Sequence, residues 1–158
     1  MSCIKKNYPN KKNQNRIISM KDFADLLARI FIALIFLFEA YDSSVFFKKT
    51  KETMTQYGIN WNQDFVLYAV IFMLVIGSVL VLIGYRSSLG AVLLLLYWIP
   101  VTFLVHSWWN DPAELQRETS MMFLKNVAII GGLLMVYVNG SGKYSVKRLF
   151  ATTTVPKL

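Results

Sequence analysis

The chain has one cysteine in 158 residues, and it is Cys3, ahead of every apolar stretch. A single thiol excludes an intramolecular disulfide and a dithiol relay. The one histidine, His106, excludes a bis-histidine haem, and with so few cysteines an iron–sulfur cluster has no ligands. Any redox role would therefore place the electrons on a partner or on a bound small molecule. Charge is scarce as well: 16% of residues are charged against 55% hydrophobic, which is not the composition of an ordinary soluble domain. Residues 89–105 carry no charge at all, and a stretch of that length covers about one bilayer core, roughly 30 Å.

Four stretches, residues 23–47, 65–84, 89–106 and 121–138, approach the roughly 20 apolar residues that a helix needs to cross a membrane. The expected fold is all-α: an integral membrane four-helix bundle of antiparallel up-down topology over residues 22–140. Flanking it are a basic tail over 1–21, rich in Asn and Lys and expected to be disordered, and a second basic tail over 141–158. The first apolar run reads as a retained helix, since no small-residue cleavage site follows it. Cys3 precedes that run, so it is not a lipoprotein cysteine.

The net charge of +8 does not indicate nucleic acid, because the basic residues are spread over tails and turns and not along one face. Topology accounts for them better. With four spans both termini share a side, and that side collects Lys5, Lys6, Lys11, Lys12, Arg16, Lys21, Arg86, Lys143, Lys147, Arg148 and Lys157, against Lys48, Lys49, Lys51 and Arg117 opposite. The positive-inside rule then places both termini in the cytoplasm. Arg29 falls about two turns into the first helix and is expected to snorkel to the cytoplasmic interface.

Local signals set the remaining boundaries. Residues 44–58 mix aromatic and basic side chains, predicting a helix extension or an interfacial helix that ends at Gly58. Trp61, Trp108 and Trp109 are expected at the membrane–water interface. Gly77 and Gly84 leave a shallow stripe for a neighbouring helix, and the short turn Gly84-Tyr85-Arg86-Ser87-Ser88 predicts an antiparallel hairpin. Pro100 should kink the third span. Asp111-Pro112-Ala113-Glu114 reads as a helix start, with Asp111 as cap and Glu114 as the capping-box acid. The last helix would run from there to Asn139-Gly140, about 40 Å at 1.5 Å per residue.

The most unusual residue is Lys125, which sits with Asn126 inside an apolar run. An ammonium at membrane depth costs about 3 kcal/mol on insertion scales, so it is expected to face a partner or a watery cavity. Glu118, seven residues away on the same stripe, is about 10 Å distant and too far to pair. Glu39 and Asp42 share a face near the end of the first helix, and His106 ends the third, so a bundle would bring Glu39, Asp42, His106, Lys125 and Asn126 to one level. Two readings follow: a Glu39–Lys125 ion pair between helices, or a polar pocket in which Lys125 holds an anionic or carbonyl-bearing ligand. A channel or transporter lacks its polar path, since the second and third spans have almost no polar residues at mid-depth. A metal site is disfavoured because a lysine would compete with one His and two carboxylates.

Several motifs together resemble the DoxX-like family of small bacterial membrane proteins, over residues 25–145. They are Leu26-Leu27-Ala28-Arg29, Gly84-Tyr85-Arg86-Ser87-Ser88-Leu89-Gly90-Ala91, Phe103-Leu104-Val105-His106-Ser107-Trp108-Trp109, the run from Phe123-Leu124-Lys125-Asn126 to Gly131-Gly132-Leu133-Leu134, and Gly140-Ser141-Gly142-Lys143-Tyr144-Ser145. The resemblance implies a four-helix protein of the bacterial inner membrane. Some members are subunits of quinone-linked or other oxidoreductase assemblies. On that basis the chain is expected to be a non-catalytic or quinone-facing subunit of a membrane redox or stress-response complex, with a quinone or a lipid as its ligand and no cofactor held by the chain itself. The rival expectation is a stand-alone lipid- or isoprenoid-binding protein or enzyme. One departure matters: family members often carry Gly-x-x-Lys near the end of the first helix, where this chain has Ala40-Tyr41-Asp42-Ser43. No role of that lysine transfers.

Overall fold

The computed structural model describes residues 11–141 and Ser145, with side chains from Met20 onward. Among the described residues the protein is all-helical, with no strand. The helices are α1 (Lys11–Val45), α2 (Phe47–Gln56), α3 (Gln63–Ile83), α4 (Ser87–Val105) and α5 (Ala113–Asn139), and the single turn Trp108–Asn110 is a 3₁₀ helix. Of these, α3, α4 with the following turn, and α5 are long and apolar enough to cross a membrane. Within α1, Asp25, Arg29, Glu39 and Asp42 interrupt the apolar sequence, although its exposed ridge Phe31, Leu34, Phe38 and Tyr41 is apolar.

Helix α1 begins at Lys11, well before Asp22, so residues 11–21 of the expected disordered tail are helical. Residues 1–10 and nearly all of the 141–158 tail lie outside the described residues. Between α1 and α2 the chain breaks at Phe46 (φ −99°, ψ 39°), and α2 stops just before Gly58, whose positive φ of 80° suits a residue without a Cβ. The interfacial-helix expectation thus matches a separate short helix and not an extension of α1.

Packing follows the small residues. Helix α1 lies against α3, α3 against α4, α4 against α5, and α5 more lightly against α1. A Cβ added to Gly77 would stand 2.8 Å from Leu94 Cδ2, and one added to Gly90 would stand 2.7 Å from the Gly77 carbonyl oxygen. These two glycines let the α3 and α4 backbones approach as only small residues allow in membrane helices. The buried core around them comprises Phe36, Leu74, Val81, Leu94, Leu133 and neighbours. Helices α4 and α5 meet at Phe103–Phe123 near the turn and at Ser88–Tyr137 near the other end. Helices α1 and α4 touch through Phe36 and Trp98, whose rings meet edge-on at 5.1 Å.

Two local expectations need correction. Helix α5 starts one residue later than a cap at Asp111 requires: Pro112 occupies the N-cap position with no side-chain cap, and its carbonyl accepts from Leu115 and Gln116. Proline offers no side-chain acceptor, and the Asp111 backbone carbonyl instead receives the Gln116 amide at 2.9 Å. Arg29 does not snorkel. It is 0% exposed, pairs with Asp25 at 3.1 Å one turn earlier, and its guanidinium fills the space beside Gly84 and Ser145 that a Cβ on Gly84 would occupy. Arg86, at the same hairpin, is exposed.

Candidate functional site

A cavity of about 540 Å³ opens where α1 passes into α2 and α4 reaches its end, a volume typical of small-molecule sites, roughly 300–1,000 Å³. Its walls are mostly apolar: Val66, Leu67, Val70 and Met73 from α3, and Leu96, Pro100, Val101 and Leu104 from α4. Helix α2 adds Lys49, Thr50, Thr53 and Met54 to the lining. Its polar lining includes Glu39, the buried Ser43 and the exposed Asp42 of α1, Tyr97 of α4, and His106.

Each polar group is placed by its helix. The buried stripe Ala33, Phe36, Ala40 and Ser43 points α1 into the core, and Glu39, beside Ala40, is turned partly inward by that stripe. There Tyr97 Oη donates to Glu39 Oε1 at 3.3 Å. Pro100 has no N–H to offer the Leu96 carbonyl one turn earlier, so that helical bond is missing in a stretch where both residues line the cavity. Tyr57 Oη donates to the Val105 carbonyl at 3.1 Å, satisfying one of the last carbonyls of α4 and fastening the segment after α2 over the site. Lys51 pairs with Asp64 at 2.7 Å, and Phe47 packs on Tyr68 with ring centroids 5.2 Å apart. Both contacts hold α2 to the start of α3.

Of the five residues expected to converge, Glu39, Asp42 and His106 line the cavity. Lys125 does not: it is exposed on α5, and the expected Glu39–Lys125 ion pair is absent among the described residues, where the two ion pairs are Arg29–Asp25 and Lys51–Asp64. Asn126 is buried beside it on α5, with its Nδ2 lacking a hydrogen-bond partner among the described residues. Helix α5 touches α1 at Gly132 and Ile32, and Lys125 lies on the exposed side of α5. Trp61, Trp108 and Trp109 are all exposed, with Trp109 stacked edge-on to Phe123 at 5.9 Å.

Sequence reasoning missed Tyr97, Lys49 and Tyr57. A phenol inside the charge-free run of α4 was the one available signal for Tyr97. The other two reach the site because α2 and the residue after it are held against α3 and α4 by Lys51–Asp64 and Tyr57–Val105.

The structure is that of a helical membrane protein with a largely apolar cavity that carries a small set of polar groups. The DoxX family matches residues 24–107, and the chain belongs to it. It is 28% identical over 130 residues to Inner membrane protein YqjF of Escherichia coli (strain K12), covering 82% of this chain and 94% of that one. It is likewise 28% identical over 123 residues to Inner membrane protein YphA of the same organism, covering 78% and 87%. Surfeit locus protein 4 homolog of Schizosaccharomyces pombe is 30% identical over 91 residues, covering 56% of this chain and 29% of that protein. No solved structure matches.

Proposed function

We propose that this DoxX-family protein is a four-span inner membrane protein whose cavity binds a membrane-borne amphiphile, a quinone, isoprenoid or lipid, without supplying electrons itself. The observation that carries this reading is the pairing of an apolar wall with a few polar groups in one cavity: Glu39 held by Tyr97, with Asp42, His106 and Lys49. Tyr97, His106 and Lys49 can donate to a carbonyl or phosphate, and the carboxylates can accept from a hydroxyl or amine. Quinone carbonyls therefore suit the donor set. If the protein works in a redox complex, its share is to hold the small molecule.

In this reading α1 is the fourth span, its apolar ridge facing lipid and its charged residues turned to Tyr97 and to the Asp25–Arg29 pair. The contacts support an up-down bundle: 77 with 94 and 80 with 90 between α3 and α4, 103 with 123 and 88 with 137 between α4 and α5, and 36 with 98 between α1 and α4. Both termini lie in the cytoplasm by the excess of basic residues on that side.

The test is purification in a mild detergent followed by extraction and mass spectrometry of the retained small molecules. Wild-type protein should keep a stoichiometric amphiphile and Val70→Trp, which fills the cavity, should not. Equal, non-stoichiometric lipid in both would overturn the proposal. Partner subunits that co-elute from the same preparation would place the protein in a complex.

A further inference from the structure

The hydroxyl groups of the cavity have spent their protons inside the protein. Tyr97 donates to Glu39 Oε1 at 3.3 Å, Tyr57 to the Val105 carbonyl at 3.1 Å, Thr50 to the Phe46 carbonyl at 3.1 Å and Thr53 to the Lys49 carbonyl at 3.1 Å. All of them line the cavity. A hydroxyl has one proton to give and two lone pairs to receive with, so toward a ligand these groups are acceptors. Ionised carboxylates accept only, which adds Glu39 and Asp42 to the same side of the balance. The donors left over on the lining are Lys49, His106 and Ser43.

The acceptors are concentrated on α1. Glu39, Asp42 and Ser43 stand at i, i+3 and i+4, a spacing that puts side chains on one helical face with Cβ atoms about 5–6 Å apart, and all three line the cavity. Ser43 is only 4% exposed. The buried hydroxyls of Ser78 and Thr102 donate to the carbonyl one turn back, as does the neighbouring Ser44, but Ser43 has no hydrogen-bond partner among the described residues. The two carboxylates are unanswered as well. The ion pairs among the described residues are Arg29–Asp25 and Lys51–Asp64, so neither Glu39 nor Asp42 meets a cation, and at membrane depth a charge calls for its complement.

We propose that the head of the bound amphiphile is a protonated primary amine, held by Glu39, Asp42 and Ser43, with its alkyl chain against Leu67, Val70 and Leu104. This rests on the amphiphile-binding reading and names the ligand's head group. An alkylammonium offers three N–H donors and no acceptor, the complement of two carboxylates and a hydroxyl on one helical face. A quinone carbonyl would engage Lys49 and His106 and leave both carboxylates without a donor from the ligand.

Native mass spectrometry of the delipidated protein, titrated separately with dodecylamine, dodecanol and dodecyltrimethylammonium, tests the assignment, because these probes share one alkyl chain and differ in the head. A charge-assisted hydrogen bond changes affinity by about tenfold, so dodecylamine should bind about tenfold more tightly than dodecanol. Dodecyltrimethylammonium, with the charge but no N–H, should fall between them. Glu39→Gln should remove most of the amine's advantage and leave dodecanol unchanged. Asp42→Asn, at an exposed position, should act in the same direction, and Ser43→Ala should narrow the gap between the primary and the quaternary amine. Lysophosphatidylethanolamine distinguishes the two sources of such an ammonium: binding as tight as dodecylamine assigns it to a lipid head group, weaker binding to a free amine. Dodecanol bound as tightly as dodecylamine would overturn the proposal, and so would an amine preference that survives both Glu39→Gln and Asp42→Asn. If Val70→Trp still weakens every probe in that event, the head-group assignment falls and the cavity reading stands. Should Val70→Trp bind all of them as wild type does, the cavity reading falls, and this proposal with it.

Discussion

Among the described residues Glu39 is the one carboxylate of the cavity with a hydroxyl donor, Tyr97. Tyr97→Phe removes the donor at 3.3 Å and leaves a part-buried carboxyl without that partner, which costs about 1–3 kcal/mol. The expected outcome is a lowered unfolding midpoint in detergent; an unchanged midpoint would mean that the bond carries no weight. Lys125 gives the opposite expectation. Since it is exposed and forms no ion pair among the described residues, Lys125→Met should alter stability by no more than about 0.5 kcal/mol in lipid-free detergent, as exposed side chains do. Thermal melts of the single variant check this, and a loss of several kcal/mol would restore the interhelical ion pair.

At the scale of the elements, glycines decide how the helices meet. Gly90 faces the Gly77 carbonyl oxygen, a backbone atom that cannot swing aside. Gly90→Ala should therefore push α3 and α4 apart and cost about 1–3 kcal/mol, the usual penalty of overpacking. An unfolding measurement in detergent reads it, and a neutral effect would show that the hairpin is looser than drawn. Gly84 meets two demands together: a φ of +73° at the end of α3 and room for the Arg29 guanidinium. Gly84→Ala adds a Cβ in a backbone region that L-residues avoid and directly against a buried charge, so it should destabilise more than Gly131→Ala, where a Cβ meets nothing within 4 Å. Side-by-side melts of the two variants give the order. Pro100 lies within the unbroken α4, and its residue 96 to 100 stretch forms cavity wall, so the helix tolerates the missing bond where a site needs space.

For the whole molecule, the lone cysteine is a topology probe. A membrane-impermeant maleimide should label Cys3 in inverted vesicles and leave it unlabelled in right-side-out vesicles or intact cells. Labelling from outside would reverse the orientation inferred from the basic residues. The exposed tryptophans Trp61, Trp108 and Trp109 all lie in or beside the turns at the α2 end, the end to which that orientation assigns the outer leaflet. The cavity is at this same end, so the amphiphile proposed for it would enter from the outer leaflet or the external face.

A helical membrane protein, the α3–α4 hairpin and the positions of three spans were legible in the order of residues, because hydrocarbon allows few backbone solutions and apolar length reports them directly. The same order also brought Glu39, Asp42 and His106 to one end, since their distances from the turns fix their depth. Depth, however, is all that distance along a helix can give. Whether Lys125 meets Glu39 depends on how α1 and α5 pack: they touch at Ile32 and Gly132, and Lys125 is left exposed. Arg29 likewise became a buried ion-pair partner because Gly84 leaves it room, not because of its place in the helix. These points were settled by contacts between helices, which the spacing of residues along one helix does not encode.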